Sequence, residues 1–162
     1  MYKIDELTKT AWRSYDKIPN EIPIDCLNNA SRLIDLMNRI SEKWGKGKIA
    51  FTCAYRSTIL NKKMGGMANS MHQKACAIDL IILLKDQDKF MTMLKEHFYN
   101  EIDFAQNYIY RIEKGIRIPR NFVHINIPHN GETPRNIFNT EIVKGTTIIF
   151  GSQGKSVDLF KR

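Results

Sequence analysis

Four histidines and one oddly placed carboxylate are the groups in this 162-residue chain whose types and spacing could do chemistry. Asp79 interrupts an apolar run, Ala75-Cys76-Ala77-Ile78-Asp79-Leu80-Ile81. A carboxylate buried in such a strand is costly unless it is paired or bound to a metal. His72 precedes the run in a polar loop, Asn69-Ser70-Met71-His72-Gln73-Lys74. His124 falls in Phe122-Val123-His124-Ile125-Asn126, where strand alternation groups it with Phe122 and Asn126 on the face opposite Val123 and Ile125. Two imidazoles, one carboxylate and a free fourth position make a chemically sensible zinc site. An Asp–His hydrogen bond beside an unrelated surface histidine accounts for the same residues, so spacing alone leaves both readings open. His97, next to Phe98 and Tyr99 in a helical pattern, reads as a core or half-buried structural histidine.

These groups can meet only if regular elements carry them. A short helical pattern covers Leu7 to Tyr15, and Asp25 is placed to cap a longer helix. In that helix Leu27, Ala30, Leu33, Ile34, Met37, Ile40 and Trp44 recur on one face, and Gly45 and Gly47 stop it. A strand over Ile49 to Tyr55 follows; Arg56-Ser57 then opens a helix from Thr58 to Met64, ended by Gly65-Gly66. Cys76 to Leu84 reads as a buried strand. Asp86 is expected to cap a helix that turns Phe90, Met93, Leu94, His97 and Phe98 inward. Strands at Phe104–Glu113 and Asn121–Ile127 are joined by a basic turn containing Lys114-Gly115, and a last strand covers Thr146–Phe150. Helices followed by strands that do not alternate with them regularly give an α+β class, with N-terminal helices packed on one mainly antiparallel sheet.

Composition narrows the function classes. The length suits one domain with a core of its own, and 43% hydrophobic with 26% charged residues excludes a wholly disordered chain. The longest apolar run, Ala75 to Leu84, is broken by Asp79 and falls short of the roughly 18–20 residues of a membrane span. The first residues lack the apolar segment of a signal peptide, which points to a chain kept in a cytosol or exported by other means. Cys26, Cys53 and Cys76 have no metal-type spacing and are expected to be reduced thiols. The net charge of +8 invites an anionic partner, but the basic residues are scattered and no nucleic-acid reader motif accompanies them.

Between Ala54 and Asp79 the chain carries Tyr55, Arg56, Ser57, Asn61, Gly65, Gly66, Ser70, His72, Ala77 and Asp79 in a specific order and spacing. That order resembles the signature of the hedgehog/D-alanyl-D-alanine zinc peptidases, in the branch of D-alanyl-D-alanine carboxypeptidases and phage lysins. Upstream, Leu7-Thr8-Lys9-Thr10-Ala11, Asn20 and Pro23 resemble the family's lead-in. Downstream, Phe122-Val123-His124-Ile125 is similar to its last-ligand strand, and Pro134-Arg135-Asn136 to its closing segment. The resemblance implies a hedgehog/DD-peptidase-like fold over residues 1–140, with 141–162 as a terminal strand and tail belonging to the same domain or extending it. It also implies that His72, Asp79 and His124 bind zinc, that Arg56 lies in the substrate cleft as a binding and catalytic group, and that Ser70 and Gln106 shape the site.

The implied function is a zinc-dependent peptidase cleaving bacterial peptidoglycan stem peptides, phage or prophage encoded, in the host cytoplasm or released or virion-associated. The alternative is a catalytically impaired domain of the same kind serving as a structural or binding component of a virion or other assembly. Departures from the family pattern motivate that alternative. Asn121 and Tyr110 occupy the two positions where the family's general base is expected. Glu113 is the replacement offered by the sequence, with His129 and Asp103 as weaker ones. Ala75 replaces a glycine between His72 and Asp79 and is expected to strain the ligand loop if φ is positive there.

Overall fold

The computed structural model describes residues 1–11, 13–45, 49–113, 116–141, 148–149 and 156–157. The apolar period of the first half becomes its longest helix, α1 (Leu27–Trp44), which buries Ala30, Leu33, Leu36, Met37 and Ile40. Leu27, expected on that face, is 42% exposed because it lies at the first turn. Asp25 does not cap the helix. A 3-10 turn over Ile24–Cys26 runs straight into it, and the Cys26 N–H is already bonded to the Pro23 carbonyl (2.9 Å). Gly45, at φ 124°, ends α1 as expected.

The expected helix over Leu7–Tyr15 is replaced by two 3-10 turns, Ile4–Thr8 and Arg13–Tyr15. Between them the chain runs alongside β1 (Ala50–Cys53): Thr10 bridges to Cys53, and the Ala11 N–H donates to the Thr52 carbonyl (2.9 Å). Tertiary backbone pairing overrides the local helical preference there. Next come α2 (Thr58–Lys63), β2 (Ala77–Ile81) and α3 (Gln87–Phe98). Ser57 caps α2 by accepting from the Leu60 N–H. Asp86 precedes α3 in a helical conformation and makes no side-chain cap, since it belongs to a 3-10 turn, Leu84–Asp86, that feeds the helix. Phe90, Met93, Leu94 and Phe98 face inward as expected, whereas His97 is exposed.

The chain then forms β3 (Phe104–Glu113), β4 (Ile116–Asn126) and β5 (Ile137–Glu141). The first five strands make one sheet in the order β1-β2-β4-β3-β5. All pairs are antiparallel except β3 with β5. This is the expected α+β class with a mainly antiparallel sheet. β3 has its expected bounds; β4 begins earlier than the expected Asn121, and β5 was not anticipated. The turn residues Lys114 and Gly115 lie outside the described residues. So does most of the expected last strand, from which Ile148–Ile149 (β6) pairs with Ser156–Val157 (β7).

One face of the sheet carries the core. Ile78 and Leu80 of β2, Ala105 of β3, and Val123 and Ile125 of β4 join the apolar faces of α1 and α3 in a single buried cluster. Each fully buried side chain of this size contributes roughly 1.5–3 kcal/mol. Alternation sends Asp79, His124 and Gln106 to the other face.

β5 is held against β3 by a clamp. Buried Asp103 accepts from the Arg135 backbone N–H (2.9 Å), Nε (3.0 Å) and Nη2 (2.5 Å), while its carbonyl accepts from the Ile137 N–H (3.0 Å). Burial raises the Asp103 carboxyl, but the Arg135 hydrogen bonds outweigh it and hold the group below its usual range. Asp103, a candidate base in the sequence, is therefore committed to structure. A depressed folded-state value means that the clamp is fully formed above the unfolded carboxyl's value of about 4 and is lost as pH falls through the folded one. Asp103→Asn is expected to cost about 1–2 kcal/mol in urea unfolding at pH 7, allowing for the exposure of Arg135. The gap to the parent protein should narrow at pH 3; a gap independent of pH would remove the ionic clamp.

Candidate metal centre

Three elements deliver the cluster. Asp79 on β2 lies directly opposite His124 on β4, and His124 opposite Gln106 on β3. His72 comes from the 3-10 turn Met71–Lys74, whose N-cap Ser70 accepts from the His72 N–H through Oγ (3.4 Å). Ala75 closes this turn at φ 53°, the left-handed conformation suspected at the missing glycine. A side chain in that region costs about 1–2 kcal/mol, and the buried Ala75 methyl recovers part of it by packing.

The donor atoms converge. One ligand atom from each of His72, Asp79 and His124 lies within 4.8 Å of the others. His72 Nδ1 faces the Ala54 carbonyl, which can only accept, so Nδ1 carries a hydrogen and Nε2 is the ring nitrogen turned toward the cluster. His72 Nε2 is 3.3 Å from Asp79 Oδ1, and His124 Nδ1 is 2.6 Å from the same oxygen. A tetrahedral ion with bonds of about 2.0–2.1 Å separates its ligands by roughly 3.3 Å; the His72–Asp79 pair already has that spacing, and His124 would have to draw back from Asp79 to take one. The Phe104 ring stands edge-on to His124, with centroids 6.0 Å apart.

Arg56 reaches this centre by a route the sequence did not show. Its Nη2 donates to Asp79 Oδ2 (2.6 Å) and its Nε to Cys53 Sγ (3.1 Å). The guanidinium thus holds the carboxylate oxygen that faces away from the histidines. Burial opposes ionisation of Asp79, yet the two imidazoles beside it outweigh burial and keep it well below the usual carboxylate range. Burial also pushes the His72 imidazole down, against the pull of Asp79. The Cys53 thiol is pushed up by burial, partly offset by Arg56.

The other candidates separate. Gln106 is buried beside His124. Asn121 is exposed, and its Oδ1 accepts from the Leu84 N–H (2.8 Å). The register puts Glu113 opposite Ile116, far along β3 from Gln106; the seven-residue interval spans roughly 23 Å of strand, so the backbone does not bring it to the cluster. The side chains of Glu113 and Tyr110 lie outside the described ones. His129 sits in a separate 3-10 turn, His129–Gly131. Sequence reasoning missed the carbonyl of Ala54 and the thiol of Cys53, because neither residue type in an apolar strand signals a role.

The loop before His72 is set by close packing. A Cβ on Gly66 would lie 2.1 Å from Asn61 Oδ1. Asn61 is itself buried and pinned, its Nδ2 donating to the Met67 carbonyl (2.8 Å). Gly66→Ala is expected to destabilise the fold by about 1–3 kcal/mol, as overpacking does; denaturant midpoints measure it, and an unchanged midpoint would show that Asn61 can move aside.

Residues 3–126 match the family described as Peptidase M15. No match was found among curated proteins or solved structures. The matched span runs from the first 3-10 turn to the end of β4 and takes in His72, Asp79 and His124. With so much of its 162 residues covered, the chain belongs to the peptidase M15 family.

Proposed function

We propose that the chain is a zinc-dependent peptidase acting on bacterial peptidoglycan stem peptides, as a D,D-carboxypeptidase or endopeptidase encoded by a phage or prophage. The convergence of His72, Asp79 and His124 within a peptidase M15 chain carries this reading. Bound there, zinc would supply a Lewis acid for the scissile carbonyl and lower the pKa of water toward about 7. His72 Nε2, His124 Nδ1 and Asp79 Oδ1 would hold it. The Ala54 carbonyl orients the His72 ring through Nδ1, and Arg56 holds Asp79 Oδ2 and so turns the carboxylate. Gln106 borders His124 on the side away from Asp79 and is suited to contact a peptide lying across the sheet face. Ser70 positions His72, and the remaining guanidinium surface of Arg56 is suited to a peptide carbonyl or carboxylate. The net charge of +8 favours association with an anionic wall. No helix among the described residues is long and apolar enough to cross a membrane. Residues 1–140 form the peptidase-like unit in this reading, and 141–162 extend it.

One observation favours a second reading. Peptide hydrolysis needs a group that takes a proton from water and returns it to the leaving amine. Among the described residues, the cluster holds no carboxylate besides Asp79. A domain that keeps its metal and has lost catalysis would serve as a structural or binding component of a virion or other assembly.

Two measurements divide the readings. Calorimetric titration should show one zinc per chain, and His72→Ala should weaken it by more than the 10–100-fold typical of an outer partner. Zinc-loaded protein incubated with muropeptides should release D-alanine or cut the stem, and lose this on chelation. Full zinc occupancy with no cleavage would leave the second reading; no zinc binding at all would sink both.

A further inference from the structure

Asn20 lies in the loop between the Arg13–Tyr15 turn and α1, remote in sequence from every metal-site residue. Its side chain makes three hydrogen bonds. Nδ2 donates to the carbonyls of Thr8 (2.7 Å) and Tyr55 (3.0 Å), and Oδ1 accepts from the Ser57 N–H (2.6 Å). The Tyr55 carbonyl and the Ser57 N–H belong to the two peptide groups that flank Arg56. One amide side chain therefore grips the backbone on both sides of that arginine. The Ser57 hydroxyl adds a bond to the Pro19 carbonyl (2.8 Å), and the Arg56 N–H donates to the His72 carbonyl (3.2 Å).

Arg56 can hold Asp79 Oδ2 only if its Cα is correctly placed, since this part of the chain has left β1 and has not yet entered α2. No strand or helix ladder fixes the backbone at Arg56. We infer that Asn20 is a positioning residue for the metal centre, acting through Arg56 on the orientation of Asp79. The inference rests on the metal reading proposed above. It follows that Asn20 affects metal affinity by way of the guanidinium, and that its effect vanishes once the guanidinium is gone.

A double-mutant cycle on zinc affinity tests this, with Asn20→Ala and Arg56→Ala made singly and together in the full chain. Each single change is expected to weaken zinc by about 10–100-fold, the range for groups that orient a ligand. The double variant should be no weaker than Arg56→Ala alone. Asn38→Ala is the structural control: it removes bonds to the Tyr2 N–H (2.6 Å) and carbonyl (3.3 Å) that also tether the N-terminus, and should lower stability without moving zinc affinity. Should Asn20→Ala not fold, Asn20→Asp serves in the same cycle, because it keeps an acceptor for the Ser57 N–H and loses the two donors. Effects that multiply in the double variant, or a zinc loss in Asn38→Ala equal to that in Asn20→Ala, would overturn the positioning role. Failure of His72→Ala to weaken zinc would instead overturn the metal reading, so the two failures are distinct.

Discussion

A carboxylate at the centre of a sheet must be compensated, and the arrangement around Asp79 is the answer this fold has found. Its two oxygens are divided: Oδ1 faces both histidines, and Oδ2 accepts from Arg56. Removing a partner from such a buried charge leaves an uncompensated group, which is far costlier than the net worth of the contact. The elements that bring His72, His124 and Arg56 to one point are therefore constrained together.

The rest of the molecule supplies that constraint through apolar packing and through polar ties between loops. On the core side, the apolar faces of α1 and α3 hold β2 and β4 in the register that sets Asp79 beside His124. Around the sheet, single polar side chains tie loops together. Asn29 of α1 is buried, donates to the Lys74 carbonyl just past His72 (3.2 Å), and accepts from the Asn130 N–H (3.1 Å). Arg32, on the next turn of the helix, donates to the Pro128 carbonyl (3.0 Å). Asn20 does the same for the segment around Arg56. Side-chain amides suit this task because each offers donors and an acceptor to backbone groups that no ladder satisfies.

This division explains why the metal centre and the proton-transfer step stand differently. Ligand geometry depends on paired strands and one capped turn, set by strand register and packing. A general base must instead reach in from a particular position. Here Asn121 is engaged with the Leu84 backbone, Asp103 with Arg135, and the strand register carries Glu113 to the turn end of β3. The excess positive charge, broad and scattered, bears on encounter with an anionic surface rather than on this chemistry.

Much of the fold and the ligand set was legible in the residues. The 3.6-residue period of α1 and the alternation around His124 declare themselves locally, and an aspartate in an apolar strand signals a need for partners wherever it is found. The sequence alone thus determined the α+β class and the bounds of β3, and its family resemblance pointed to the three residues that the fold brings together. Only the tertiary structure decided that the segment after Leu7 would border β1 instead of forming a helix, that β5 would pair parallel to β3, and that Arg56 would hold Asp79. Those outcomes depend on hydrogen bonds between residues far apart in the chain, such as Ala11 with Thr52, Ile137 with Asp103, and Asn20 with Ser57. Local pattern carries no trace of such bonds, because the partner exists only once the chain has folded.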